Sequence, residues 1–183
     1  SAYVFTNTDG TWSQVAELTA TGGAGSDYFG NSVAIDGDTC VIGAPVTNSY
    51  IGSAYVFTNT NGSWSQFAEL SAIDGANGDR FGRSVAIDGS TCVIGAIGTN
   101  FYTGSAYVFT NTGGTWSQVA ELTATGGASN DYFGNSVAID GSTCVIGAPV
   151  TDSNTGSAYV FTNTNGTWSQ VAELTATGDA FGN

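Results

Sequence analysis

The sequence predicts an all-β fold built from one repeated four-stranded unit, and three observations support this prediction. The segment Ser-Ala-Tyr-Val-Phe-Thr-Asn-Thr begins at residues 1, 53, 105 and 157, which gives a repeat length of 52 residues. Each unit carries four short runs rich in β-branched and aromatic residues, which favour strands. Dipeptides suited to tight hairpin turns separate the runs. No run has a helical period, so we expect no helices.

The four strands of a unit are clearest between residues 29 and 70. Strand one covers residues 29–35, strand two 39–44, strand three 53–58 and strand four 64–70. The same runs recur one repeat length later in each following unit. Four short strands in sequence order, joined by short connections, favour an antiparallel meander.

The predicted turns fix the register of these strands. Asp36-Gly37 lies between strands one and two, and Asn61-Gly62 lies between strands three and four. Both dipeptides tolerate the positive φ angles of a type I′ turn. We therefore expect two type I′ hairpins in each unit.

The composition of strand three indicates what covers the meander. Tyr55 and Phe57 alternate with Ala54 and Val56, and both sets are apolar. Because alternate residues of a strand point to opposite faces, both faces of strand three are expected to be covered. One meander cannot shield both of its own faces, so neighbouring units must stack as blades of a β-propeller. Strand four mixes apolar and polar residues, which is typical of a half-exposed outer strand.

This interpretation divides the chain into about 3.5 blades of one repeat array. Residues 1–18 form a half blade, residues 29–70, 81–122 and 133–174 form full blades, and residues 175–183 begin a further blade. Such an array leaves strand edges open. We expect these edges to be satisfied either by more of a longer repetitive chain or by another copy of this one.

Composition excludes several classes of partner. The chain has 15 acidic residues, two arginines, no histidine and a net charge of −13, which argues against binding to nucleic acid or to anionic membranes. No apolar run approaches the roughly 20 residues of a membrane span, so we expect no membrane insertion.

Catalysis is also not expected. An active site needs unlike groups that converge on one point, whereas this chain repeats the same groups at equivalent positions. The strand-four glutamates should diverge between blades and serve solubility; they are Glu17, Glu69, Glu121 and Glu173. Three cysteines at equivalent positions do not form a disulfide framework and are interpreted as small buried hydrophobes; they are Cys40, Cys92 and Cys144.

Several segments together resemble an FG-GAP repeat. They are Phe29-Gly30, the run Ser-Val-Ala-Ile-Asp-Gly-Asp from residue 32, Val-Ile-Gly-Ala-Pro from residue 41, and Gly-Ser-Ala-Tyr-Val-Phe from residue 52. Similar repeats build the propeller of integrin α subunits. The resemblance covers nearly the whole chain and implies an extracellular or cell-surface propeller used for adhesion, binding or scaffolding.

The chain departs from the integrin pattern where the family carries a calcium loop. Between strands one and two it has only a tight turn such as Asp36-Gly37-Asp38, which cannot supply the six to eight oxygen ligands of calcium. We therefore expect no cofactor. The residues before the Phe-Gly pairs leave two alternatives open, a weak calcium site or an aspartate that caps its own loop; they are Asp27, Asp79 and Asp131.

Candidate partner-binding residues lie between strands two and three, where the copies differ most. They are Tyr50, Ile51, Phe101, Tyr102, Asp152 and Asn154. Asn61 and Asn165 match glycosylation acceptors on exposed turns, conditional on a eukaryotic secretory source. The predicted function is a non-enzymatic structural or adhesive module that binds other copies of itself, or an extracellular protein or glycan, through multivalent contacts. The alternative is a propeller that binds a carbohydrate or another small ligand.

Overall fold

The computed structural model describes residues 1–176, apart from the side chains of residues 152 and 153. These residues form one two-stranded and three four-stranded antiparallel sheets. The half blade consists of β1 (Ala2–Thr8) and β2 (Thr11–Leu18). Blade 1 consists of β3 (Ser32–Asp36), β4 (Thr39–Ala44), β5 (Ser53–Thr60) and β6 (Ser63–Leu70).

The next two blades repeat this pattern. Blade 2 consists of β7 (Phe81–Asp88), β8 (Thr91–Ala96), β9 (Ser105–Thr112) and β10 (Thr115–Leu122). Blade 3 consists of β11 (Ser136–Asp140), β12 (Thr143–Ala148), β13 (Ser157–Thr164) and β14 (Thr167–Thr175). Strand order in each sheet follows sequence order, which confirms the predicted all-β meanders.

The two hairpins of each blade use different turns. Asn61 and Gly62 have φ angles of 53° and 88°, as the predicted type I′ turn requires. The first hairpin does not match the prediction. Asp36 pairs with Thr39 at the end of β3, so the turn residues are Gly37 and Asp38, and of these only Gly37 has a positive φ. Glycine at the first central position is typical of a type II′ turn.

Strand one is shorter than predicted in blades 1 and 3. The strand was expected to begin at Phe29, but β3 begins at Ser32, after a segment in which Tyr28 and Gly30 have positive φ angles. In blade 2 the strand does begin at Phe81, and the ladder shifts register between Phe81 and Ser84.

Three helical turns contradict the expectation that the chain contains no helices. They are α1 (Thr47–Tyr50), α2 (Thr99–Tyr102) and α3 (Thr151–Asn154). Each is a single four-residue turn, and Asn48, Ser49 and Tyr50 all have φ angles between 49° and 66°. A left-handed turn of this length has no amphipathic period that a sequence pattern could reveal. Within the described part of the chain, no helix has the length and hydropathy that crossing a membrane would require.

The sheets stack in chain order and share three apolar cores, one at each junction between neighbouring sheets. The first strands of the blades, β3, β7 and β11, lie against one another, whereas the outer strands approach each other less closely. This radial arrangement is that of propeller blades, and the described array does not close into a ring. In β5 and β9 both alternating sets of side chains are buried, as expected for strand three.

Candidate interaction surfaces

Each junction between blades joins two different faces. We define the front face of a blade by the tyrosine and phenylalanine of strand three together with the cysteine and isoleucine of strand two. The back face is defined by the valines of strands two and three. At the junction of blades 1 and 2, Tyr107 and Phe109 of the blade 2 front face share a core with Val41 and Val56 of the blade 1 back face. Because every junction repeats this pairing, the front and back faces are complementary to each other.

Hydrogen bonds hold the two junctions between full blades at their inner and outer ends. At the inner end, the Gly89 N–H donates to the Asp36 carboxylate of the preceding blade at 2.6 Å. At the outer end, the Ile73 N–H donates to the Gln118 side-chain carbonyl of the following blade at 3.0 Å. The next junction repeats both contacts, through Asp88 and Gln170. The aspartates are recognisable as turn residues from the sequence, but their contact with the adjacent blade is not.

Glycine allows the backbones of neighbouring blades to approach closely. A Cβ atom at Gly43 would collide with the Gly82 carbonyl oxygen of the next blade and with the Ser32 hydroxyl. The Ser32 hydroxyl donates to that same carbonyl at 3.0 Å, and Ser84 repeats the bond to Gly134. The Gly of the Val-Ile-Gly-Ala run and the Gly of the Phe-Gly pair therefore belong to one contact between blades.

The front face of the half blade is uncovered. Tyr3 is 53% exposed and Phe5 is 51% exposed, whereas the equivalent Tyr55 and Phe57 of blade 1 are 4% and 3% exposed. A cavity of about 320 Å³, with a mainly apolar lining, lies beside β1, where a full blade would have its first two strands.

The back face of blade 3 is uncovered as well. Val145 is 37% exposed, while the equivalent Val93 of blade 2 is completely buried. In β13 the burial pattern alternates, because Ala158 and Val160 point to the uncovered side. The described array therefore presents a front face at one end and a back face at the other.

The candidate loop residues of blades 1 and 2 lie at the junctions between blades. Tyr50 and Phe101 are exposed, whereas Ile51 and Tyr102 are half-buried. The Ile51 carbonyl accepts a hydrogen bond from the Phe81 N–H of the next blade at 2.9 Å, so this loop also has a structural role. The loop of blade 3 contains the exposed Asn154, which has a φ of 73°; the side chain of Asp152 lies outside the described residues.

The aspartates before the Phe-Gly pairs accept hydrogen bonds from their own loops. The Asp27 carboxylate accepts from the Ala24 N–H at 2.6 Å, and Asp79 and Asp131 accept from Ala76 and Ala128 at 2.7 Å. The structure thus shows the loop-capping contact for all three. Among the described residues, no group of three or more histidine, cysteine or acidic side chains is arranged to hold a metal ion.

The two candidate glycosylation residues occupy exposed hairpin turns. Asn61 and Asn165 are both exposed and both have a φ of 53°. The preceding Asn59 and Asn163 close these turns, because their side-chain oxygens accept from the N–H of the turn glycine. The asparagines that precede the turn therefore have a structural role that the turn dipeptide alone does not indicate.

Each strand-four glutamate of the full blades ends a buried polar chain. In blade 1 the Thr47 hydroxyl donates to the Ser53 hydroxyl, which donates to the Glu69 carboxylate at 2.9 Å. Blades 2 and 3 repeat this chain. Glu69 is exposed, as expected, but it also satisfies a buried serine. In blade 3 the Tyr159 hydroxyl also donates to Glu173, and burial together with this carboxylate raises the pKa of Tyr159 to about 12.

The cysteines are buried and free, as interpreted from their positions. Burial raises the pKa of Cys40 to about 11 and that of Cys144 to about 12. A thiol with so high a pKa is protonated at neutral pH and is therefore a poor nucleophile.

Comparisons with known proteins agree with this architecture. A search of curated proteins finds no match. Among solved structures, a europium-containing methanol dehydrogenase is similar, with a TM-score of 0.52 and 10% sequence identity over 79% of this chain. The chain spans about a quarter of the length of that protein (24%), and the likeness concerns the fold alone. The family model for the FG-GAP repeat matches residues 12–57, 64–109 and 116–161, so this chain belongs to the FG-GAP repeat family.

Proposed function

We propose that this chain is a non-enzymatic structural module of the extracellular space that associates with other copies of itself, head to tail. The observation that carries the proposal is the pair of uncovered faces at the two ends of the described array. The half blade presents the strand-three part of a front face, and blade 3 presents a back face; these two kinds of surface pack together at the internal junctions.

The chemistry of the two faces supports a second copy as the partner. Apolar side chains dominate both of them, including Tyr3 and Phe5 on one and Val145 and Val160 on the other. Because the two faces differ, their association is heterologous and produces either a closed ring or an open filament. A contact between copies would reproduce the part of an internal junction formed by strands three and four, because the half blade lacks strands one and two.

Sedimentation velocity across a range of concentrations tests this proposal. We expect particles whose mass is at least twice 18.5 kDa. The substitution Val145→Glu places a charge on the back face and should weaken association at least tenfold. Val119→Glu is the matched control, because Val119 is also exposed but lies on the outer strand β10. Circular dichroism shows whether both variants keep the fold.

Two results would overturn the proposal. One is a single species of 18.5 kDa at every concentration. The other is an equal loss of association in both variants, which would mean that added charge, and not the back face, is responsible.

A second candidate function is the binding of a carbohydrate or another small ligand at the loops between strands two and three. It is favoured by the exposed aromatic rings there, since Phe101 is 81% exposed and Tyr50 is about half exposed. Aromatic rings at a surface stack on apolar faces of ligands, including sugar rings. Titration with neutral sugars followed by tryptophan and tyrosine fluorescence tests this candidate, and an unchanged signal for every sugar would contradict it.

A further inference from the structure

Both basic side chains of the molecule line one surface cavity. This cavity has a volume of about 320 Å³ and lies at the junction of blades 1 and 2. Its polar and aromatic lining consists of Tyr28, Asn31, Tyr50, Arg80 and Arg83. The chain has no other lysine, arginine or histidine, and its net charge is −13. None of the described residues that line the cavity is acidic.

The repeat itself shows that the fold does not need these arginines. The residues equivalent to Arg80 are Tyr28 and Tyr132, and those equivalent to Arg83 are Asn31 and Asn135. Arg80 also adopts the same left-handed backbone as its equivalents, with a φ of 59°. Blades therefore form with tyrosine and asparagine at these positions. The two cations are an addition to one repeat of an otherwise regular array.

Aromatic rings position one of the two guanidinium groups. The Arg80 guanidinium carbon lies 5.6 Å from the ring centre of Tyr50 and 5.8 Å from that of Tyr102. Both distances are within the range of a cation–π interaction. Tyr102 in turn packs against Tyr132 at 5.4 Å. This set of contacts holds the Arg80 side chain at the cavity instead of leaving it free in solvent.

Neighbouring contacts fix the rest of the cavity. The Asn31 side-chain amide donates to the Arg83 carbonyl at 2.9 Å, and the Arg80 N–H donates to the Tyr50 carbonyl at 2.8 Å. Both hydrogen bonds join blade 1 to blade 2, so the cavity is held by the junction between them. Tyr28 is 65% exposed and presents its ring beside the two arginines.

We propose that this cavity binds an acidic sugar, with the carboxylate between Arg80 and Arg83 and the sugar ring against Tyr28. Arginine forms paired, charge-assisted hydrogen bonds to a carboxylate, and an aromatic ring packs against the apolar face of a sugar. The negative charge of the remaining surface opposes anions elsewhere, so the two arginines define where an anion binds. This inference names a ligand for the second candidate function and is independent of head-to-tail association.

The probe is D-galacturonic acid, with D-galactose and acetate as controls, in a titration followed by ¹H–¹⁵N NMR. The chain has only two arginine Nε–H groups, so their signals report directly on the cavity. We expect galacturonic acid to shift both signals and to bind at least tenfold more tightly than galactose or acetate. Galactose lacks the carboxylate, and acetate lacks the ring.

The variants Arg80→Tyr and Arg83→Asn reproduce residues that the equivalent positions already carry, so both should fold. Each is expected to weaken binding of galacturonic acid at least tenfold. Gln14→Glu is the matched control, since it makes the same change in net charge as Arg83→Asn on the exposed surface of β2 and should change binding less than twofold.

The inference is overturned if galacturonic acid does not bind, if acetate binds as tightly, or if Gln14→Glu weakens binding as much as Arg83→Asn. Galactose that binds the wild type and Arg83→Asn equally well would overturn the acidic-sugar inference while supporting the second candidate function. None of these results depends on the sedimentation experiment, so the two proposals fail separately.

Discussion

Replacing Phe109 with alanine removes a ring from the centre of a blade junction, and Phe5 offers the same change at the equivalent position of the half blade. Phe109 is 4% exposed and packs against Phe81, with the ring centres 5.8 Å apart. Truncation of a buried phenylalanine costs about 3–5 kcal/mol of unfolding free energy, because the contacts are lost and a cavity remains.

Phe5 is a closely matched control, because residues 1–8 have the same sequence as residues 105–112, which contain Phe109. Phe5 is about half exposed, so its truncation loses roughly half of the ~1.5–3 kcal/mol of a fully buried ring and leaves no closed cavity. We therefore expect Phe5→Ala to cost about 1 kcal/mol, at least ~2 kcal/mol less than Phe109→Ala. The assay is urea unfolding followed by tryptophan fluorescence, at a concentration where sedimentation shows single chains. Equal losses in the two variants would refute the stacked-blade account.

Three further predictions concern the junctions and the chemistry of the core. Asp88→Ala removes the acceptor of the Gly141 N–H in the next blade and should cost about 1 kcal/mol in urea unfolding, whereas Asp140→Ala, with no following blade in the described chain, should cost almost nothing. The pKa of Cys40 is raised by burial from its ordinary 9.0 to about 11, so the folded state holds this proton more tightly than the unfolded chain does. The contribution of this thiol to the free energy of unfolding is therefore fully present below about pH 9 and is lost as the pH rises towards 11. An unchanged urea midpoint over this range would contradict the burial of Cys40. A metal chelator should leave the melting temperature unchanged, because a two-residue turn cannot supply a calcium shell, and a fall of several degrees would show that a cation stabilises the fold.

Local rules were sufficient to predict the blades. Alternation in strand three and the Asn61-Gly62 turn are properties of adjacent residues, and the structure confirms both of them. The burial of Tyr55 on one face of the strand and of Val56 on the other was also predictable, because a strand that is apolar on both faces needs cover on both faces. The family resemblance rests on these same segments.

Features that depend on the next blade could not be predicted. Asp36 looked like a turn residue, yet its carboxylate binds Gly89, which lies one repeat further along the chain. The cavity with Arg80 and Arg83 has the same origin, because its other wall comes from residues of blade 1. Such contacts depend on how one sheet sits on another, and a pattern within a single strand carries no information about that.

The left-handed turns were missed for a different reason. Ser49 and Tyr50 adopt positive φ angles without glycine or a turn dipeptide to indicate them. Hydrogen bonds within the loop close this backbone instead: the Tyr50 and Gly52 N–H groups donate to the Val46 and Thr47 carbonyls. Blade 3, which has no following blade among the described residues, repeats both bonds from Asn154 and Gly156.

Amide hydrogen exchange measured by NMR tests the central claim most directly, because the chain contains its own control. Residues 53–60 and 157–164 have the same sequence and therefore nearly the same intrinsic exchange rates. Strands β5 and β13 are both paired on both edges, but β5 is buried on both faces whereas one face of β13 is uncovered. If blades are stabilised by stacking on one another, amides of residues 53–60 exchange at least roughly tenfold more slowly than those of residues 157–164. Equal protection of the two segments in single chains would contradict the account.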